Sequence, residues 1–162
     1  MAPEAAPLAL LGRILQVNVS AEGGLPKRPV PGPVWVRRSG LEGDHNRYRA
    51  ERLAGDPDSA VLLLTRDVIE TYAREGYRVR PGSLGENITL EDLPYEALAI
   101  GQRWRLGPRA VVQLSRPCTP CSELLVYGED FVARARGRRG YYARVLDEAP
   151  VSPGDTACLL GP

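Results

Sequence analysis

The feature that most limits the fold of this chain is a succession of short apolar runs separated by turns. The turns are rich in glycine and proline, of which the sequence holds 17 and 15. Proline is excluded from helix interiors and central strands, and both residues favour turns, so long helices are disfavoured along most of the chain. The pattern therefore predicts a mainly β protein.

The runs predicted as strands share β-branched or aromatic residues and a turn on at least one side. They are Gly12–Val19, Val34–Val36, Ala60–Leu64, Ile88–Leu90, Gln102–Leu106, Ala110–Ser115, Tyr142–Leu146 and Thr156–Leu160. In the fifth run, Trp104 and Leu106 alternate with Arg103 and Arg105, so we expect one face of this strand to contact water. The long run 60–64 is apolar throughout, as in a strand buried on both faces.

Two segments have helical character. Thr65 can cap a helix with Asp67 in its first turn, and Gly76 can end that helix. The apolar stripe between them consists of Val68, Ile69, Tyr72 and Ala73. A second helix is predicted over Ser122–Arg134. Because strands mostly follow one another through turns, we predict an antiparallel β-barrel or sandwich with a few helical excursions, and no βαβ units.

Length and charge narrow the class of protein further. A chain of 162 residues suits one domain, which we place at residues 11–162 after a loose N-terminal leader at residues 1–10. The 21 basic and 20 acidic residues give a net charge of +1, which argues against binding nucleic acid or membranes by charge. No apolar run is long enough to span a bilayer, and the start lacks a basic segment typical of signal peptides. Three cysteines, an odd number, favour a reducing compartment, so we predict a cytoplasmic protein.

The stretch LSRPCTPCSELL, residues 114–125, holds Cys118 and Cys121 in C-x-x-C spacing. A zinc clamp would need a second close pair of ligands, yet His45 and Cys158 lie far apart in the sequence. A thioredoxin-like dithiol would need an early strand and helix in a βαβ framework, whereas this motif lies late among strands. Both of these are disfavoured alternatives, and two interpretations are favoured over them: a working thiol at Cys121, activated at a helix start with help from Arg116, or two buried cysteines that only pack.

Several segments, in order, resemble the MOSC domain, the module named for the C-terminal part of molybdenum cofactor sulfurases. They are GRILQVNVSAEGGLPKRPV (12–30), GLEGDHNRYR (40–49), PGSLGENITLEDL (81–93), LAIGQRWRLG (98–107), RPCTPCSEL (116–124), GRRGYYARVL (137–146) and VSPGD (151–155). The resemblance covers nearly the whole chain. It implies a MOSC-type β-barrel whose cleft binds the molybdenum cofactor (molybdopterin), a pterin carrying a phosphate.

The resemblance also implies a functional thiol. In the family this thiol sits in a Pro-Cys pair followed closely by leucine, which Pro120-Cys121-Ser122-Glu123-Leu124 matches. Cys121 is therefore the predicted catalytic residue and molybdenum ligand. Many relatives carry an arginine three positions before this cysteine, where this chain has Cys118, with Arg116 two residues further back. This departure allows an exchange between Cys118 and Cys121 that typical members cannot make.

The remaining predicted cofactor-binding residues lie in loops. Asn87 could bond the pterin edge and Glu86 could orient a donor, although Gly85-Glu86-Asn87 also has the composition of a simple turn. His45, beside Asp44, could take part in acid–base work or be solvated. The basic residues could grip the phosphate or form ordinary surface; they are Lys27, Arg28, Arg47, Arg49 and the run Arg136, Arg138 and Arg139, from which Lys27, Arg47 and Arg138 are selected.

Three functions follow from these expectations. In the first, the protein binds the molybdenum cofactor and handles sulfur, with Cys121 carrying a persulfide or ligating molybdenum, and receives sulfur from a donor protein. In the second, it is a molybdenum-dependent reductase of N-hydroxylated compounds supplied by an electron-transfer partner. In the third, it is a non-catalytic module that binds and delivers the cofactor. We expect no flavin, no pyridoxal phosphate and no Fe–S cluster, since three cysteines cannot supply four thiolates.

Overall fold

The computed structural model describes residues 10–46, 49–50 and 54–161. Residues 1–9 of the predicted leader, and Arg47 among the predicted site residues, lie outside this set. The strands are β1 (Leu11–Val19), β2 (Arg28–Val30), β3 (Val34–Arg37), β4 (Gly40–Leu41), β5 (Val61–Thr65), β6 (Ile88–Glu91), β7 (Arg103–Leu106), β8 (Ala110–Pro117), β9 (Tyr141–Asp147), β10 (Ala149–Val151) and β11 (Thr156–Gly161).

Helices are short in the described part of the chain. The α-helices whose full bounds are described are α1 (Arg66–Arg74) and α2 (Phe131–Arg134), and the 3₁₀ helices are Pro57–Ser59, Tyr95–Ala97 and Ser122–Tyr127. None of the helices found there is long and apolar enough to cross a membrane. Every predicted strand is present with its ends shifted by at most two residues, and the short strands β2, β4 and β10 are additions. The mainly β fold is confirmed.

Seven strands form a closed barrel. The sheet runs in the order β11-β7-β8-β9-β5-β6-β1, and β1 pairs again with β11 to close it. Closure depends on the length of β1, whose residues 11–13 pair with β11 while residues 13–17 pair with β6. The last residues of β1 pair with β2, which adds an eighth strand at one end of the sheet. A separate three-stranded sheet has the order β10-β3-β4.

One connection departs from the expected antiparallel pattern. Strands β5 and β6 are parallel, with Leu63 opposite Ile88, and α1 lies in the connection between them. Parallel neighbours need a crossover, which α1 provides by covering the sheet with its buried side chains of Val68, Ile69 and Tyr72. The expectation that the chain contains no βαβ unit is therefore wrong at this one place.

The core follows the predicted patterns. Strand β5 is buried along its whole length, while in β7 the side chains of Trp104 and Leu106 are fully buried and their arginine neighbours are exposed. Helix α1 begins after Thr65 as predicted, but the Thr65 hydroxyl makes no capping hydrogen bond. Asp67 instead accepts hydrogen bonds from the backbone amides of Val68 (2.9 Å) and Tyr95 (3.1 Å).

The predicted helix over 122–134 is divided into two pieces. A 3₁₀ helix covers Ser122–Tyr127, and α2 begins only at Phe131. Gly128 separates them with φ of +151°, and a continued α-helix would require a negative φ at this residue. Phe131 then packs edge-to-face on Tyr72 of α1, with 5.1 Å between ring centroids. The helix start next to Cys121 is consequently a short 3₁₀ turn, with only a small dipole.

Candidate functional site

A cleft of about 220 Å³ opens where three loops meet. The loop after β8 contributes the cysteines, and the loops around residues 24–27 and 45–46 and the turn before β9 also line the cleft. The lining side chains that bear on chemistry are Lys27, His45, Arg116, Cys118, Cys121 and Arg139. The structure therefore brings the predicted residues Lys27, His45 and Cys121 together.

The two cysteines of the loop differ in exposure. Cys121 is half-buried and immediately precedes the 3₁₀ helix, whereas Cys118 is only 6% exposed and packs with Leu62 and Tyr142. Burial raises the pKa of the Cys118 thiol, and the nearby Arg139 guanidinium and a hydrogen bond with Tyr142 act in the opposite direction. Of the pair, Cys121 is the thiol that a molecule entering from solvent meets first.

Cys118 is held in place by the turn that precedes β9. Its backbone amide donates to the carbonyl of Gly140 at 2.8 Å. Gly140 has φ of +109°, and a Cβ at this position would lie 2.6 Å from the carbonyl oxygen of Leu63. Only glycine fits this approach of the turn to β5, so the turn fixes both Cys118 and the adjacent Arg139 relative to the barrel.

Arg139 is the buried cation of the cleft. Its residue exposure is 5%, and among the described residues its Nε and Nη1 atoms have no hydrogen-bond partner. Burying a charge without a partner is costly, so these two donors mark a place where an anion with oxygen acceptors would bind favourably. The sequence offered only a weak signal for this residue, namely the glycines 137 and 140 that let backbone approach an anion closely.

Arg138, the predicted cofactor-binding residue of this run, is directed elsewhere. Its guanidinium forms an ion pair with Glu96 and lies over the ring of Tyr95, 5.2 Å from the centroid. Its carbonyl accepts a hydrogen bond from the Tyr72 hydroxyl at 2.8 Å. Of the two adjacent arginines, Arg139 is the one that lines the cleft.

Lys27 lines the cleft but brings no net charge to it. Its Nζ donates to both carboxylate oxygens of Asp44 at 2.7 Å, and both side chains are almost fully buried. Asp44 also accepts from the Ser20 amide (2.7 Å) and from Asn87 Nδ2 (3.0 Å), which satisfies the carboxylate completely. His45 follows this pair, is exposed, and is anchored through its backbone amide to Ser20.

Asn87 and Glu86 are buried and do not line the cleft. Asn87 Oδ1 accepts from the Leu62 amide at 3.0 Å, and Asn87 Nδ2 contacts Asp44, so the side chain joins β5 to the Asp44 loop. Glu86 is fully buried, and its Oε2 accepts from the Gly82 amide and the Thr89 hydroxyl. Burial raises the pKa of Glu86. Their predicted contact with a cofactor stays a prediction, whereas their structural contacts are evident.

The other basic residues lie in different parts of the structure. Arg116 is partly exposed and lies over the ring of Tyr142, 5.3 Å from its centroid, while its guanidinium bonds the Ser59 hydroxyl. Arg49 donates to three carbonyl oxygens and so fixes its own loop, and Arg28 is exposed on β2. Of the described arginines, Arg116 and Arg139 line the cleft, and which basic residues bind a phosphate stays a prediction.

The structure also shows where the third cysteine lies and whether the described residues form a zinc clamp. Cys158 is 9% exposed on β11, opposite Arg105 of β7, and does not line the cleft. Within residues 10–46, 49–50 and 54–161, no three side chains of His, Cys, Asp or Glu are grouped so that they could hold a metal ion. A protein-only zinc site is therefore not formed by these residues.

Comparison with known proteins gives related chains and one family. The chain is 36% identical over 146 residues to protein YflK of Bacillus subtilis, a match covering 86% of this chain and 64% of YflK. It is 29% identical to a protein of Gibberella moniliformis named reductase, covering 97% of this chain but 31% of that protein. The chain thus spans less than two thirds of each of these relatives.

Solved structures support the same relation. The crystal structure of YiiM from Geobacillus stearothermophilus superposes with a TM-score of 0.73 at 27% identity, covering 92% of this chain and 75% of YiiM. The family model described as the MOSC domain matches residues 50–157, which is more than half of the chain. With its closed barrel and its cysteine-bearing cleft, the chain belongs to the MOSC domain family.

Proposed function

We propose that this chain binds the molybdenum cofactor in the cleft and that Cys121 handles sulfur there, as a persulfide carrier or as a thiolate ligand of molybdenum. The observation that carries the proposal is the meeting of an accessible thiol, Cys121, with the unpartnered buried guanidinium of Arg139 in one cleft. The family is associated with this cofactor, which supplies the ligand class.

The residues of the cleft fit such a ligand. A pterin phosphate would provide oxygen acceptors for Arg139 Nε and Nη1. Arg116 also lines the cleft, where its guanidinium forms an ion pair with Asp56 at 3.8 Å. Lys27 is neutralised by Asp44, so it can offer a hydrogen bond but no net charge. Cys121 offers the soft sulfur donor that suits molybdenum. When bound, the cofactor supplies a metal centre able to take thiolate ligands and to carry out two-electron chemistry.

The chain's own part in sulfur handling is nucleophilic. The thiolate of Cys121 attacks the outer sulfur of a donor persulfide, the sulfur–sulfur bond of the donor breaks, and the donor leaves as a thiolate. The half-buried position of Cys121 in the cleft lets a donor reach it. This chemistry needs a free thiol, so the proposal includes a reducing, cytoplasmic location and a sulfur-donor partner.

Two measurements on variants test the proposal. Protein from a cofactor-competent host should contain molybdenum and pterin, and Arg139→Gln should reduce the pterin content at least about tenfold by removing a charge-assisted contact.

Cys121→Ser should abolish persulfide formation with a sulfane-sulfur donor, while Cys158→Ser, the matched control outside the cleft, should not. Full persulfide labelling of Cys121→Ser would overturn the sulfur role. Unchanged binding and delivery of cofactor by Cys121→Ala would favour a delivery module.

A second function is favoured by one comparison. The protein of Gibberella moniliformis that matches 97% of this chain is named a reductase. We therefore propose, as the alternative, reduction of N-hydroxylated compounds by the cofactor-loaded chain. Since the match spans only 31% of that protein, an external electron-transfer partner is part of this proposal. Turnover of a hydroxylamine with an artificial electron donor, lost in Cys121→Ser, would support it. Absence of turnover by fully loaded protein would refute it.

A further inference from the structure

The cleft contains a second thiol, Cys118, which has no role in the sulfur transfer proposed for Cys121. The two cysteines are separated by Thr119 and Pro120, and both line the same cleft. The residues from 118 to 120 have no regular secondary structure, and the loop links the fixed end of β8 to the 3₁₀ helix. Cysteines at this spacing on a loop can approach within the Cα separation that a disulfide needs.

Cys118 is positioned as an internal thiol and not as a point of entry. Its sulfur is buried against Leu62 and Tyr142, and its amide is held by Gly140. A bulky sulfur donor therefore reaches Cys121 and not Cys118. Once sulfur is attached to Cys121, however, Cys118 is a neighbour in the same cleft, and intramolecular attack is strongly favoured over attack by a thiol from solution.

The surroundings also suit an anionic leaving group. Arg139 lines the cleft and has two unpartnered donors. Burial raises the pKa of the Cys118 thiol, and the charge of Arg139 opposes this rise. Hydrosulfide leaving from Cys121 would depart beside this guanidinium. In this way the cation stabilises negative charge that develops as the sulfur–sulfur bond breaks.

We propose that Cys118 is the resolving thiol of this cleft, which releases the sulfur carried by Cys121 as hydrosulfide and leaves a Cys118–Cys121 disulfide. The inference rests on the proposed persulfide at Cys121. In the step, the Cys118 sulfur bonds to the Cys121 sulfur, and the bond between Cys121 and the carried sulfur breaks. The proton of the Cys118 thiol leaves with that sulfur as HS⁻. The carried sulfur is reduced, the two cysteines are oxidised, and a dithiol reductant from solution restores both thiols.

Cys158 is the natural control, because it is the third thiol but lies on β11 and does not line the cleft. The full chain is reduced, freed of reductant, and treated with one equivalent of glutathione persulfide. Sulfide release is followed with a sulfide-selective electrode. The protein is then analysed by intact mass and by peptide mapping for a gained sulfur atom or for the disulfide.

The wild-type chain and Cys158→Ser should each release one sulfide per protein loaded and form the Cys118–Cys121 disulfide. Cys118→Ser and Cys118→Ala should gain the sulfur atom but release it at least about tenfold more slowly, because the intramolecular nucleophile is gone. Two variants are used because serine in this apolar site could disturb packing, and circular dichroism checks their fold. Tyr142→Phe, which removes the hydroxyl beside Cys118, should load normally and resolve more slowly.

Each contrary result has a distinct meaning. If the wild-type chain loads sulfur and both Cys118 variants release it at the wild-type rate, the resolving role is wrong while the persulfide role of Cys121 stands. If the wild-type chain takes up no sulfur at all, the proposed sulfur function fails and the resolving role fails with it. A disulfide that maps to Cys158 would also refute the inference.

Discussion

At residue 139, burial identifies a functional candidate that sequence composition does not distinguish from its neighbours. Arg138 and Arg139 are adjacent and chemically identical, yet Arg138 is paired with Glu96 while Arg139 is buried with unpartnered donors. The same holds for the cysteines, since C-x-x-C spacing alone does not tell which thiol faces solvent. Exposure and pairing, which depend on the fold, decide the role of each residue.

The exposure of the three cysteines predicts their order of reaction. Iodoacetamide should alkylate Cys121 first in the native protein, because Cys118 and Cys158 are 6% and 9% exposed and burial also raises the pKa of Cys118. Peptide mass mapping after brief labelling measures this order. In denaturant all three should react alike. Preferential labelling of Cys118 in the native state would contradict the placement of the cysteine loop.

The buried carboxyl of Glu86 predicts a pH-dependent contribution to stability. Burial raises its pKa, so the folded protein binds this proton more tightly than the unfolded chain, whose glutamate pKa is about 4.3. Its contribution to stability is therefore fully present below the unfolded pKa and is lost as pH rises through the higher folded value. The free energy of unfolding of the wild type, relative to Glu86→Gln, should fall from acid to neutral pH.

Glu96 provides the opposite case for comparison. Its pKa is lowered chiefly by the hydrogen bond with Arg138, so its contribution is present at neutral pH and is lost on acidification. Urea unfolding at several pH values, with Glu86→Gln and Glu96→Gln in parallel, should give slopes of opposite sign. A difference for Glu86→Gln that does not change with pH would refute the assignment.

At the scale of elements, the cleft walls are joined by one buried polar network. Lys27, Asp44 and Asn87 connect the loop after β1, the loop after β4 and the start of β6, and Asn87 reaches β5 through Leu62. Asn87 and Lys27 were predicted to bind the cofactor directly. That role stays a prediction, while their observed hydrogen bonds hold together the loops on which the cleft is built. Polar residues near a site thus include those that hold its elements together.

Removing the acidic member of this network should be costly. Asp44→Ala leaves the buried ammonium of Lys27 uncompensated, so we expect a loss of about 3–5 kcal/mol in the free energy of unfolding. Glu42→Ala is the matched control, because Glu42 pairs with Arg37 at the surface, and it should change stability by less than about 1 kcal/mol. Denaturant unfolding measures both. Equal losses of stability in Asp44→Ala and Glu42→Ala would show that the Lys27–Asp44 pair does not behave as a buried ion pair.

At the scale of the whole molecule, the barrel depends on β1. This strand pairs with β11, β6 and β2 along successive parts of its length, so it closes the sheet that carries the cysteine loop on β8. Ile14 lies in the middle of β1, is fully buried, and belongs to the continuous core of the barrel. The geometry of the site therefore depends on contacts between residues that are far from it in the sequence.

A cavity at this point should destabilise the entire barrel. Ile14→Ala is expected to lower the free energy of unfolding by about 2–5 kcal/mol, with tryptophan fluorescence and far-UV circular dichroism reporting the same transition. Leu160→Ala on β11, where the side chain is 42% exposed, should change it by about 0.5 kcal/mol or less. Separate transitions for the two probes would show that β1 closure is not part of one cooperative unit.

Local sequence patterns were enough to predict the longer strands and the family, but not the short strands β2, β4 and β10. Apolar runs between glycine and proline turns specified the strands, because alternation and turn chemistry are local properties, and the ordered MOSC-like segments specified the barrel. Tertiary structure alone decided the βαβ crossover at α1, the break at Gly128, and the choice of Arg139 over Arg138. It also made Cys118 the more buried thiol of the pair. Each of these depends on which surfaces meet when the barrel closes, and burial and pairing are properties of distant contacts that local sequence does not encode.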